Sequence, residues 1–250
     1  MAIVRERVKP NRDKLKMVSR RDNWWLFGGY YKGLHEAISI LNRVLTRSRV
    51  SEYNMLAFVD LGMVYSDATV VFAYNDYYHF SLLQSNIHEI WLRRQASTMR
   101  TDIRYTPTDC FQTFPFPQNF NEQQRRATEQ AGQVYYDHRQ QVMVHTQLGL
   151  TKTYNRFHDP RCQNADIQEM RRLHAEMDKA VLACYGWEDI DLQHDFYPND
   201  RKKIRYMPSR EAQREIFIRL LALNQQIAAH EAAQGLVVEA GEEEDVEEDV

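Results

Sequence analysis

Residues 104–117 read RYTPTDCFQTFPFP, and no other stretch restricts the chain so much. Each proline lacks an amide donor and pushes its predecessor into extended geometry, so three threonines, three prolines and three phenylalanines leave little room for a helix. The phenylalanines want burial, which predicts an aromatic connector pinned between the two halves of the chain. Before it the chain reads as short strands and helices. After it, from Asn121, it reads as long helices, so the segment marks a join.

Length and charge bound the rest. The 250 residues suit one large or two modest domains, and 43% hydrophobic content supplies a core. No apolar run approaches the ~20 residues a membrane helix needs, and no secretory leader is visible at the start. Three separated cysteines without a CxxC pair argue for reduced thiols, a cytoplasmic chain and no zinc site. The net charge of −3 hides an asymmetry: eight acids between Glu239 and Asp249, taken away, leave +5 on residues 1–238. Residues 1–49 carry twelve Lys/Arg against four Asp/Glu. Such a segment attracts polyanions by counterion release. Arg12, Lys14, Lys16 and Arg20 lie in its first part, with Trp24 and Trp25 expected to anchor it by burial.

Local patterns supply the elements. Residues 34–41 suit a short amphipathic helix, and residues 43–50 (RVLTRSRV) alternate like a strand whose wet face carries Arg47 and Arg49. Residues 55–59 and 69–74 read as further strands. Residues 79–95 read as one helix with Phe80, Leu83, Ile87, Ile90 and Trp91 on one face, ending in Arg93 and Arg94. His88 reads as a satisfied flank histidine. Residues 97–102 (STMRTD) read as a polar, irregular loop. Asn121 and Gln124 make a capping box for a helix to about Thr146, with Val134, Tyr135, Met143 and Val144 inward. Residues 150–160 read as a polar-aromatic connector. Asn164 caps the next helix, and Gly186 ends it. Residues 188–208 read as a charged loop, and Ser209 caps a last helix with Ile216, Ile218, Leu220, Leu221 and Leu223 inside. From Gly235 the acidic tail lacks any means of packing. The fold class is α+β: a mixed domain over residues 1–118, a helical domain over 119–234 and a disordered tail over 235–250.

Catalytic patterns are missing. There is no FxGxG cofactor loop, since residues 27–29 (FGG) lack the spacing, and residues 75–78 (NDYY) lack the prolines of an NPPY motif. Asp200 and Lys202 make half of a D-x-K nuclease signature without its partner aspartate. The residues point to no catalytic group, metal ligand or cofactor, and the chain reads as a binding module.

Residues 5–16 (RERVKPNRDKLK), 84–91 (QSNIHEIW), 104–117 and 150–160 (LTKTYNRFHDP) together resemble MmeI-like restriction–modification enzymes. In that family one polypeptide carries a nuclease, an adenine DNA methyltransferase, a target-recognition domain and a helical C-terminal domain. The resemblance reaches about Gln234 and covers only the last two. It implies double-stranded DNA as partner, with the catalytic domains absent, as in a split or truncated enzyme served by a methyltransferase on another polypeptide. It places base reading in the loop before RYTPT: Ser97, Thr98, Arg100, Asp102 and Arg104. Arg100 and Asp102, two apart in an extended loop, would point the same way and could read both members of a C·G pair. Phosphate contacts would fall to Arg12, Lys14, Lys16, Arg20, Arg47, Arg49, Arg93 and Arg94. The rival expectation is a helical adaptor that docks on a methyltransferase without touching DNA.

Overall fold

The computed structural model describes residues 2–25, 32–99 and 102–235. They fall into two compact units, divided between Leu41 and Asn42. The acidic tail expected beyond Gly235 lies outside the described residues.

The first unit is a set of short helices: α1 (Ala2–Arg7), α2 (Lys9–Arg12), α3 (Val18–Asp22) and α4 (Lys32–Ile38). Pro10 sits in the first turn of α2, where a missing amide costs nothing. Neither α1 nor α2 buries a residue. Trp24 and Trp25 meet edge to face at 5.7 Å, and Trp25 remains 47% exposed. The burial expected of the pair is therefore incomplete.

The second unit begins with a three-stranded antiparallel sheet ordered β3–β1–β4, from β1 (Arg43–Ser48), β3 (Ala57–Asp60) and β4 (Thr69–Phe72). Two helices come next, α5 (Tyr77–Gln84) and α6 (Asn86–Gln95), where the periodicity predicts one. The break lies at Ser85, whose backbone is extended and whose Oγ donates to Leu82 O at 2.8 Å and accepts from His88 N at 3.3 Å. One serine thus ends one helix and caps the next. Asp178 secures the break from outside, accepting the Asn86 backbone and side-chain amides at 2.8 and 2.7 Å. Burial opposes charge on Asp178, but His174 and His194 beside it hold its carboxyl well below the usual range.

Past a small second sheet, formed by β2 (Val50–Ser51), β5 (Ser97–Met99) and β6 (Asp102–Arg104), the aromatic connector contains one helical turn, α7 (Pro107–Cys110). This departs from the expectation of no helix: Pro107 sits at the start of the turn, the one helical position that tolerates it. The connector is pinned as expected. Phe114 is buried, and Trp91 Nε1 donates to Thr113 Oγ1 at 3.2 Å. Tyr185 Oη donates to Pro115 O at 2.9 Å, and Asn224 Nδ2 to Thr113 O at 2.8 Å.

The helical part comprises α8 (Glu122–Thr146), α9 (Leu150–Phe157), α10 (Ala165–Tyr185) and α11 (Arg210–Ala233). Both halves of the Asn121/Gln124 capping box form, Asn164 and Ser209 cap α10 and α11, and Gly186 ends α10 in the left-handed region. The inward face of α8 differs from the expected one. Thr128, Gly132, Tyr135, Tyr136, Arg139 and Val142 face the core, whereas Val134 and Val144 are exposed. On α11, Ile216 and Leu220 are buried but Ile218 and Leu221 are exposed. Residues 150–157, expected as connector, form α9. The expected charged loop holds an antiparallel hairpin, β7 (Asp195–Pro198) with β8 (Ile204–Met207).

One hydrophobic cluster joins β1, β4 and α5 to α8, α9 and α10, through Leu45, Phe72, Phe80, Tyr135, Tyr154 and Met170. The domain limit expected at residues 118–119 therefore falls inside one packed unit. At its centre Arg139, fully buried, donates to Leu56 O at 2.7 Å, Tyr154 OH at 3.1 Å and Gln84 Oε1 at 3.2 Å.

Candidate nucleic-acid interface

The segment expected as an irregular loop is instead part of the second sheet, ordered β2–β6–β5. Ser97 pairs with Arg104, Thr98 with Ile103 and Met99 with Asp102; Val50 pairs with Arg104 on the other side. In an antiparallel pair, opposite residues share a face and neighbours alternate. Ile103 is buried. Arg104 and Ser97 are exposed and Asp102 is half-buried, so these three belong to the outward face. Arg100 lies outside the described residues. The expectation that Arg100 and Asp102 point the same way therefore also lies outside the described residues.

A second layer holds this small sheet from behind. Tyr105 continues β6 into the core, and its backbone amide donates to Arg49 O at 2.7 Å. Arg47, only 3% exposed, places its guanidinium 4.2 Å from the Tyr105 ring centre and donates to Asn54 Oδ1 at 2.7 Å. Burial pulls its pKa down to about 10. Arg47 thus braces the sheet from behind, and its burial stands against the phosphate role expected of it. Alternation misled because β1 is the central strand, buried on both faces from Val44 to Arg47.

His88 lies 3.2 Å from Tyr105 OH through Nε2, with its ring 4.5 Å from that of Phe114. Burial, with the nearby Arg47 charge, pushes its pKa down from 6.5 to about 3. The sign of the consequence rests on proton uptake. Between those values the unfolded chain binds a proton that the folded chain refuses, so stability falls as pH drops below about 6.5. We expect the urea midpoint to decline from neutral pH toward pH 5, and His88→Asn to make that decline shallower. An unchanged slope in His88→Asn would remove His88 from the account.

The other proposed cations separate by environment. Lys14 and Lys16 are exposed, and Arg12 and Arg20 are half-buried on the first unit. Arg94 is exposed, with its guanidinium 5.6 Å from the Phe217 ring centre. Arg49 is half-buried beside β2. Arg93 is held by Glu89 one helical turn earlier, with Nε 2.8 Å from the carboxylate, which reduces its availability to a ligand. Sequence reasoning gave no role to Glu52, Lys203 or Arg205. Lys203 Nζ and Arg205 Nη2 both reach Glu52 Oε1 at 2.5 Å, joining the β7–β8 hairpin to the residue after β2. The run of basic residues at 201–205 was its only sequence signal.

Among the described residues, no group of three His, Cys, Asp or Glu side chains is arranged to hold a metal, and no helix is long and apolar enough to cross a membrane. Residues 4–118 match the family model described as MmeI, target recognition domain. The fold matches a solved structure of the Type IIL restriction-modification enzyme MmeI in complex with DNA, with TM-score 0.64 and 20% identity, over 90% of this chain and 26% of that chain. This chain thus spans about a quarter of that enzyme, and the likeness is one of fold. No curated protein matches.

Proposed function

We propose that this chain, whose residues 4–118 match the family model of the MmeI target recognition domain, is the sequence-reading portion of an MmeI-like restriction–modification adenine methyltransferase. Its ligand is double-stranded DNA, and it works with a methyltransferase carried on a partner polypeptide. The observation that carries this reading is the outward face of the β2–β6–β5 sheet. Ser97, Asp102 and Arg104 share it, while Ile103 and Tyr105 fix it from beneath. Arginine forks onto guanine acceptors and aspartate accepts from the cytosine amino group, so this donor and acceptor set suits a major-groove edge. Arg100 completes the proposed reading set, whereas the pairing of Thr98 with buried Ile103 puts Thr98 on the opposite face and takes it out of that set. Arg12, Lys14, Lys16, Arg20, Arg49 and Arg94 are the proposed phosphate contacts. The role is non-catalytic, supported by a sequence without a methyltransferase cofactor loop or NPPY motif. Reading from paired strands keeps Asp102 and Arg104 at fixed spacing.

Competition binding across the four base pairs at each position of a site tests this. With the methyltransferase partner present, Arg104→Ala or Arg100→Ala should cost ~1–3 kcal/mol at one base pair and relax specificity there. Lys14→Ala should weaken binding to all sequences alike and flatten the salt dependence by about one unit of slope. Salt-insensitive binding to the partner polypeptide with no affinity for DNA would replace this reading with the adaptor.

A further inference from the structure

The pairing of Val50 with Arg104 and of Ser51 with Ile103 sets the direction in which the next residue, Glu52, leaves the sheet. Alternation returns Glu52 to the outward side, the side of Arg104 and Asp102. There it meets the β7–β8 hairpin. Lys203 and Arg205 converge on one of its carboxylate oxygens, Oε1, at 2.5 Å each. One carboxylate under two cations leaves an excess positive charge. Arg205 also has a buried Nε without a partner among the described residues. The Glu52 side chain is 32% exposed, so a second anion can approach. Its carboxyl is held below the usual range, first by the Lys203 hydrogen bond and, against the cost of burial, by the Arg205 charge.

The hairpin that brings these cations is rigid at its tip. Asn199 Oδ1 accepts the backbone amides of Arg201 and Lys203, at 3.0 Å each. Asn199 N donates to Lys203 O, and Lys202 N donates to Asn199 O, both at 2.9 Å. Lys202 takes a left-handed backbone, φ 60°, to close the turn. Three consecutive basic residues are thereby held in one fixed presentation on the β2 side of the proposed reading face.

We propose that Lys203 and Arg205 form a binding subsite for a backbone phosphate of DNA, and that Glu52 occupies it as an internal competitor. This rests on the DNA-reading function above. Two donors set to grip a single oxyanion are what a phosphate oxygen requires, and a carboxylate fills that role in the free chain. DNA must displace Glu52 or share the cations with it. The subsite binds more weakly than its two cations alone would, and it does so for every sequence equally.

The test uses the full chain with its methyltransferase partner and a short labelled duplex of mixed sequence, with affinity measured over a range of salt concentration. Glu52→Gln keeps the shape and removes the competing charge. It should tighten binding roughly three- to tenfold at low salt and steepen the salt slope by about one unit. Lys203→Ala should weaken binding and flatten the slope by about one unit. Inorganic phosphate at matched ionic strength should compete no better than chloride, since a single subsite holds a free anion poorly without the rest of the duplex. Strong competition by phosphate would overturn the assignment in favour of a free-anion site. If Glu52→Gln lowers thermal stability and leaves the duplex affinity unchanged, the contact is a structural clamp and the inference fails. Lys14→Ala in parallel separates the two claims. An effect there without one at Glu52 and Lys203 sinks the subsite and keeps the DNA reading, whereas no duplex binding by any form sinks both.

Discussion

Gly132→Ala is expected to destabilise the second unit by about 3 kcal/mol, at the upper end of the range for overpacking a core. Gly132 is where α8 crosses α5. A methyl group there would lie 1.9 Å from Ser81 Oγ, 2.8 Å from Tyr77 O and 3.3 Å from Ser81 Cβ. Ser81 cannot easily turn aside, because its buried hydroxyl hydrogen-bonds to Tyr77 O and Thr128 O at 2.7 and 2.8 Å. Tyr77 O is backbone, so relief requires the two helices to separate. Ser81→Ala alone loses those hydrogen bonds. In combination with Gly132→Ala it should recover part of the loss, since the nearest clash is gone while Tyr77 O remains. Urea unfolding of the two single variants and the double variant measures this. A Gly132→Ala protein within about 0.5 kcal/mol of the parent, the spread of harmless surface changes, would show that α5 and α8 are not packed so closely.

Arg139→Met should cost about 1–3 kcal/mol, the range for leaving a buried hydrogen-bonding group without its partner. Arg139 has no carboxylate beside it. Its charge is met by Leu56 O, Gln84 Oε1 and Tyr154 OH, and by the ring faces of Tyr136, Phe80 and Tyr135 at 5.0, 5.4 and 5.7 Å. Methionine fills much of the volume but takes from Leu56 O its donor, while Gln84 Oε1 keeps Leu56 N and Tyr154 OH keeps Tyr135 OH, and an unsatisfied buried acceptor carries its full desolvation penalty. Arg139→Lys should be intermediate, because one ammonium cannot span the positions a planar fork reaches. Some buried charges can be replaced by apolar side chains at no loss. If the Met variant unfolds at or above the parent's denaturant concentration, Arg139 is one of these.

The features legible in the sequence were those written in local chemistry. Asn121 with Gln124, Asn164, Ser209 and Gly186 each announce a helix end by side chain or by lack of one, and each is realised. The pinned connector was legible because Phe114 and its neighbours have few ways to avoid water. What failed depended on partners distant in sequence. The inward face of α8 is set by Gly132 against Ser81 and by Arg139 against Leu56, and apolar spacing favoured the exposed Val134 and Val144 instead. The break at Ser85 is secured by Asp178, far along the chain. Arg47 lies in an alternating pattern that a central strand does not obey. In the candidate site, residue types were readable, but strand pairing was not. Ser97, Asp102 and Arg104 come together because Met99 pairs with Asp102, and nothing within residues 97–104 dictates that register.

The shared core across residue 118 limits where the chain can be joined to another without loss of packing. Tyr53 on the sheet side donates to Asn155 Oδ1 at 2.7 Å and stacks on His158 at 5.0 Å. Asn86 is bound by Asp178, and Leu56 by Arg139. A recombination joint at residue 118 would sever all of these at once, and a transplanted recognition segment would arrive without its foundation. Mutation confined to the outward positions of the small sheet disturbs none of them. If the outward face reads bases as proposed, the sequence recognised can change one side chain at a time above helices that such mutations leave untouched.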